Sequence, residues 1–128
     1  MDKKLFKAFK ALGEPTRLKI VKMLSFQSMC VCELSEVLDM LQPRVSQHLK
    51  ILKEADLVRE SREGYWVYYS LDKEKLHRLW QDFLAFLDTD LKNLPDFQLE
   101  YERLANIENN ERVNRTKDNL RKKQNNAR

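Results

Sequence analysis

The sequence contains no apolar run approaching the roughly 18 residues of a membrane span. Its first residues, Met1-Asp2-Lys3-Lys4-Leu5-Phe6, lack the apolar stretch and small-residue cleavage site of a secretory leader. A cytoplasmic location with no membrane partner is the expectation. Glycine occurs twice and proline three times in 128 residues, too few for the many tight turns of an all-β fold. There is no phosphate-binding loop and no carboxylate pair in an apolar setting. With two histidines in the chain, no nucleophile–histidine–acid grouping rises above chance. An enzyme is therefore not expected. The two cysteines, Cys30 and Cys32, are one residue apart. They would close too small a ring for a useful structural disulfide, and the cytosol keeps thiols reduced in any case. The pair needs another explanation.

Charge is unevenly placed. The formal net charge is +4. Residues 106–128 hold seven Lys/Arg and three Asp/Glu, a net +4, whereas residues 1–105 hold 17 of each. Within that neutral part, residues 42–62 carry five basic and three acidic side chains, and residues 72–102 carry four basic and eight acidic. A basic segment beside an acidic one suggests that one edge of the fold meets a polyanion.

The apolar periodicity is mostly helical. Leu5, Phe6, Phe9 and Leu12 share a helical face that Gly13 ends. Pro15 opens a second helix carrying Leu18, Ile20, Val21 and Leu24, with a polar loop expected over residues 25–29. A third helix takes in Val31, Leu34, Val37 and Leu38. A short break precedes Gln42-Pro43, and a fourth helix buries Val45, Leu49 and Leu52. Two short helices joined by about four residues, the second exposing polar side chains, form a helix-turn-helix plan. Residues 57–61 and 65–71, the latter alternating apolar and polar, read as a β-hairpin turning at Gly64, a wing. A long helix is expected from Asp72 to about Leu94, with Leu76, Trp80, Phe83, Leu87, Leu91 and Leu94 on one stripe, then a short helix around Phe97, Tyr101 and Leu104. The fold class is mainly α with a small β-hairpin wing, a winged helix-turn-helix. Residues 1–105 form the domain, and residues 106–128 form a basic tail without fixed structure. The chain is too small to cover the stripes of its first and fifth helices, so a homodimer is expected through Leu5, Phe6, Phe9, Trp80, Phe83 and Leu87.

Four segments resemble one family, the ArsR/SmtB-type metal-responsive repressors, which are small homodimeric winged-helix proteins. They are Leu12-Gly13-Glu14-Pro15-Thr16-Arg17-Leu18, Cys30-Val31-Cys32-Glu33-Leu34, Gln42-Pro43-Arg44-Val45-Ser46-Gln47-His48-Leu49 and Gly64-Tyr65-Trp66-Val67-Tyr68-Tyr69. The likeness spans roughly residues 5–90, and the Cys-Val-Cys element points to the arsenic-responsive branch. Three features depart from that branch. Ser35 stands where a third cysteine often follows, Leu41 stands where a small helix-capping residue usually precedes Gln-Pro, and the basic tail has no counterpart.

The resemblance implies that the fourth helix enters the major groove of double-stranded operator DNA with Ser46, Gln47 and His48 near the bases. Gln42, Arg44 and Lys50 are the other polar candidates on that helix, since Arg and Gln pair bidentately with purine edges and Lys holds phosphate. Arg59 and Arg62 on the wing are candidates for phosphates or the minor groove. It also implies a repressor released by an ion held on Cys30 and Cys32, a soft As(III) or Sb(III), with Cd(II) a further candidate. No permanently bound cofactor is expected. The alternative on the same fold is a redox sensor that oxidises the two thiols. Residues i and i+2 of an α-helix point about 200° apart, so a shared ion is expected to need an unwound or never-formed first turn. Other members of the family bind Zn(II) through acidic and histidine ligands on the last long helix. Here that helix has the single His77, read as a surface or dimer-edge side chain.

Overall fold

The computed structural model describes residues 2–127, and the chain divides into two compact units, Met1–Leu87 and Asp88–Arg128. The sequence pattern instead groups residues 1–105 as the domain and 106–128 as the tail. In the first unit, α1 (Lys3–Leu12) begins at Asp2, whose carboxylate accepts the Lys4 N–H at 2.9 Å, and ends as the Gly13 N–H reaches the Phe9 carbonyl. α2 (Pro15–Phe26) starts with proline in its first turn and with the Glu14 carboxylate accepting the Arg17 N–H at 2.9 Å. It runs through Ser25 and Phe26, which the sequence reading gave to a loop. The rest of that loop is also shorter than expected, because Met29–Cys30 forms strand β1.

α3 (Val31–Leu38) and α4 (Gln42–Glu54) are the helix-turn-helix pair. Both end the same way. Asp39 and Asp56 take left-handed φ values of 52° and 60°. Behind them the Met40 N–H reaches the Ser35 carbonyl, and the Leu57 N–H reaches that of Leu52, each at 3.0 Å. This is the six-to-one closure usually built around glycine. Aspartate is among the few other residues that enter this region readily, and it lets a chain with two glycines stop two helices sharply.

β2 (Val58–Glu63) and β3 (Trp66–Leu71) form the hairpin through Gly64 and Tyr65, with Glu63 opposite Trp66. Gly64 has φ +63°, and Tyr65 is not among the positive-φ residues. That combination marks a two-residue turn with glycine first, of the kind whose twist suits a hairpin. The strand order is β1-β3-β2, antiparallel throughout, so the two-residue β1 pairs with the wing's inner strand: Met29 with Tyr69 and Cys30 with Tyr68.

The core draws on every helix of the unit. Ile20, Leu34, Val45, Leu49, Leu52 and Leu57 are completely buried, and truncating any one of the leucines costs about 2–5 kcal/mol. Val45, Leu49 and Leu52 recur at helical spacing, fixing which side of α4 faces inward. α5 (Lys73–Asp88) closes the unit. It stops at Asp88 rather than near Leu94, because Asp88-Thr89-Asp90 places in a row residues whose short polar or β-branched side chains favour other conformations.

The second unit holds short 3₁₀ turns at Leu91–Asn93, Pro95–Phe97 and Ile107–Asn109, with helices α6 (Gln98–Ala105) and α7 (Glu111–Asn126). Within residues 106–128, for which the sequence suggests no fixed structure, Glu111–Asn126 is helical. Asn110 caps α7 by accepting the Val113 N–H at 3.0 Å, and Arg, Lys, Gln and Leu within it are good helix formers.

α4 starts without a side-chain cap, since Leu41 occupies that position and is largely exposed. Replacing Leu41→Ser supplies a second acceptor for the Arg44 N–H, which otherwise bonds the Leu41 carbonyl at 3.0 Å, and loses little burial. We expect a gain of about 0.5–1 kcal/mol in denaturant unfolding; a loss would mean that the exposed Leu41 side chain has a contact of its own.

Candidate DNA-facing surface and thiol pair

With Val45, Leu49 and Leu52 turned inward, α4 presents Gln42, Arg44, Ser46, Gln47 and Lys50 to solvent. His48 behaves differently. It is half-buried, its Nδ1 lies 3.4 Å from the Arg17 guanidinium and 3.9 Å from the Glu14 carboxylate. Arg17 also donates through Nε to the Ala11 carbonyl. His48 therefore joins α4 to the start of α2 and to the end of α1, and it is less free to meet a base than its neighbours.

On the wing, Arg59 donates from Nε and Nη2 to one carboxylate oxygen of Asp72, at 3.0 and 2.7 Å. Asp72 accepts the Lys75 N–H at 3.0 Å through its other oxygen, so it caps α5 as well. Arg59 thus ties the wing to α5. Lys53 and Glu60 pair at 3.0 Å between α4 and β2. Arg62, near the tip, is exposed and is the cation best placed to leave the protein surface. Beside it Tyr65 is fully exposed and Trp66 is largely so. The sequence reading treated these aromatics only as strand residues. Their exposure follows from their place at the wing tip, beside the Gly64 turn.

The two sulfurs are 3.0 Å apart. Cys30 is buried and Cys32 is exposed. The expectation that the pair conflicts with an intact α3 does not hold. Cys30 is extended, with φ −86° and ψ 168°, and it precedes the helix as its cap residue, so the 200° offset of two helical residues never arises. The Glu33 carboxylate accepts the Cys30 N–H at 3.0 Å and closes the first turn from the other side. Burial, then the hydrogen bond with Cys32, pushes the Cys30 thiol up from its ordinary pKa. Ser35 is buried, and its hydroxyl donates to the Val31 carbonyl at 2.8 Å, one turn deeper than the sulfurs. Among the described residues no group of three or more His, Cys, Asp or Glu side chains is placed to hold a metal, and His77 is exposed.

The apolar face of α1 and α5 is only partly available. Leu5 is buried in its own core. Phe83 packs edge-on against Phe9 at 5.0 Å and lies 5.8 Å from Trp80. Phe6, Trp80 and Leu87 remain more than half exposed, with Phe9 and Leu84 beside them.

A helix-turn-helix whose second helix bares its polar side, followed by a hairpin, defines the class: a winged helix-turn-helix nucleic-acid-binding module. The profile of the bacterial regulatory proteins of the arsR family matches residues 14–60. An uncharacterized HTH-type transcriptional regulator of Methanocaldococcus jannaschii is 43% identical over 72 residues, covering 56% of this chain and 81% of that protein. The arsenic resistance transcriptional regulator ArsR1 of Pseudomonas putida is 40% identical over 94 residues, covering 73% of this chain and 67% of that one. A solution structure from Mycobacterium bovis, a homodimeric winged helix-turn-helix DNA-binding domain described as a possible ArsR-family regulator, superposes with a TM-score of 0.56 at 27% identity. That match covers 72% of this chain and 85% of the other. The chain belongs to the ArsR family of transcriptional regulators, which are DNA-binding proteins and not enzymes.

Asp72 supports both the wing and α5. The Lys75 N–H first, and then Arg59, hold its carboxyl below the usual carboxylate range. A depressed pKa contributes stability that is present above the unfolded value of about 3.9 and is lost as pH falls through the folded value. The stability difference between the wild type and Asp72→Asn is therefore expected to be constant from about pH 5 to 7 and to shrink below about pH 4. Denaturant titrations across that range test it; a difference that does not change with pH would mean the carboxylate charge is irrelevant here.

Proposed function

We propose that this protein is a homodimeric repressor that holds operator DNA through α4 and the wing and lets go when As(III) or Sb(III) bridges Cys30 and Cys32. The observation that carries the reading is the placement of the thiol pair. Two sulfurs 3.0 Å apart lie well inside the roughly 4.6 Å that two metal–sulfur bonds of about 2.3 Å can bridge, and they sit at the first turn of the helix that supports α4. Thiol donors suit soft ions, and the name of the Pseudomonas putida relative refers to arsenic resistance. Cd(II) is the less favoured alternative. The alternative on the same two thiols is a redox sensor, and arsenite-dependent release under full reduction separates the two readings.

The route of release differs from unwinding. Cys30 is simultaneously the last residue of β1, paired to the wing at Tyr68, and the cap of α3. An ion that resets the separation of the sulfurs moves α3 against β3, and with it the angle between recognition helix and wing. DNA binding and ion binding then oppose each other by the same factor.

DNA contact in this reading falls to Gln42, Arg44, Ser46, Gln47 and Lys50, and to Arg62 on the wing. His48 and Arg59 act as supports. Cys30→Ser and Cys32→Ser should each bind operator within a few-fold of wild type. Each should remain bound at arsenite concentrations that release wild type, in a gel shift under full reduction. Normal release by the double variant would place the sensor elsewhere.

The dimer is supported by the exposed apolar side chains of α1 and α5 and by the homodimeric Mycobacterium bovis domain. Because Phe83 packs within its own chain, Trp80→Glu with Leu87→Glu is the cleaner disruption. The double variant should stay folded by circular dichroism, sediment as a monomer and lose operator binding. A wild type that is monomeric at micromolar concentration would remove the dimer from the reading.

A further inference from the structure

We infer that Tyr68 completes the ion site by donating its phenolic hydrogen to the oxygen that remains on arsenic after both cysteines have bound. This rests on the reading of Cys30 and Cys32 as the arsenic-binding pair. Ser35 is not available for the third position, since it is buried and bonded to the Val31 carbonyl. The remaining partner has to come from another element, and β1 supplies the connection. Cys30 and Tyr68 are directly opposed on antiparallel strands, which puts their side chains on one face with Cβ atoms about 5 Å apart. The neighbouring pair, Met29 and Tyr69, belongs to the core side, so Cys30 and Tyr68 share the other side.

The two tyrosines also differ in their hydroxyls. That of Tyr69 donates to Glu60 at 3.1 Å. Among the described residues that of Tyr68 has no hydrogen-bond partner. A phenol keeps its proton near neutral pH, so the Tyr68 hydroxyl is available as a donor.

The chemistry balances without an oxidant. Arsenous acid, As(OH)₃, exchanges two As–O bonds for two As–S bonds. Each thiol proton leaves with a displaced hydroxide as water, and arsenic stays trivalent. One hydroxyl remains on arsenic, and its oxygen accepts from Tyr68. The same exchange with hydrated phenylarsine oxide, which has only two hydroxyls to lose, leaves a phenyl group and no oxygen.

Comparing the two ligands therefore tests the inference. Both are titrated into the full reduced protein, as wild type, Tyr68→Phe and the Cys30→Ser, Cys32→Ser double variant, with Kd measured by calorimetry. Tyr68→Phe keeps the ring and should weaken arsenite about three- to ten-fold, the size of one hydrogen bond. Phenylarsine oxide should bind it as well as it binds wild type, or better. Equal weakening of both ligands, or no change in either, overturns the role of Tyr68 while leaving the cysteine reading intact. Failure of both ligands to bind wild type, or undiminished binding by the cysteine double variant, overturns both.

Discussion

Cys30 has two backbone obligations at once, and the arrangement of the molecule around the sulfurs depends on them. As a strand residue it must be extended to pair with Tyr68. As the cap of α3 it must be extended so that the next residue can enter the helix. The same φ and ψ satisfy both, so the chain passes from sheet to helix with no linker. That economy has a consequence for the thiols. Cys30 points from the end of a strand and Cys32 from the first turn of a helix, and the change of backbone geometry between them brings their sulfurs within 3.0 Å. A pair with the same spacing in the middle of α3 would face opposite ways.

The same joint connects α4 and the wing, the parts proposed to meet DNA. α3 supports α4 through a turn closed by Asp39, and α4 is locked by three fully buried side chains. β3 is held on one side by β1 and on the other by β2, which Arg59 and Asp72 tie to α5. The wing and α4 are thus carried on separate lines of support that converge at Met29–Cys30. β1 is only two residues long, so it is the weakest piece of the sheet and the easiest to shift. A ligand acting there needs to supply a fraction of the energy that a disturbance of the core would demand.

The parts of this arrangement legible in the sequence are those with a long period or a punctuating residue. α1 to α4 show apolar spacing that agrees with their buried faces, and the hairpin shows alternation with a glycine. β1 is too short to have a period, and its existence depends on β3, which lies far away in sequence; nothing local announces it. The true ends of α5 and the helical state of residues 111–126 depend on weak propensities over a few residues, where alternatives are close in energy. At the site, residue types were legible and their partners were not. His48 and Arg59 are residue types that can contact DNA, but the folded chain brings Arg17 and Asp72 to them from 31 and 13 residues away and makes them supports. The same long-range pairing sets Tyr68 across from Cys30.

These pairings separate side chains free to touch DNA in the proposed reading from those that hold the surface in place. Substituting Gln47 or Lys50 changes the outer side of α4 and leaves the frame alone. Substituting His48 releases Arg17, which also holds the end of α1 through the Ala11 and Lys10 carbonyls, and so changes how α4 sits against two helices. Loss of DNA binding would follow in either case, from different causes. The two are distinguishable because a contact residue changes affinity with little change in stability, whereas a supporting residue changes both. A scan that measured DNA affinity alone would enlarge the apparent interface to include its scaffold, and by the same reasoning Arg59 would be mistaken for a phosphate contact.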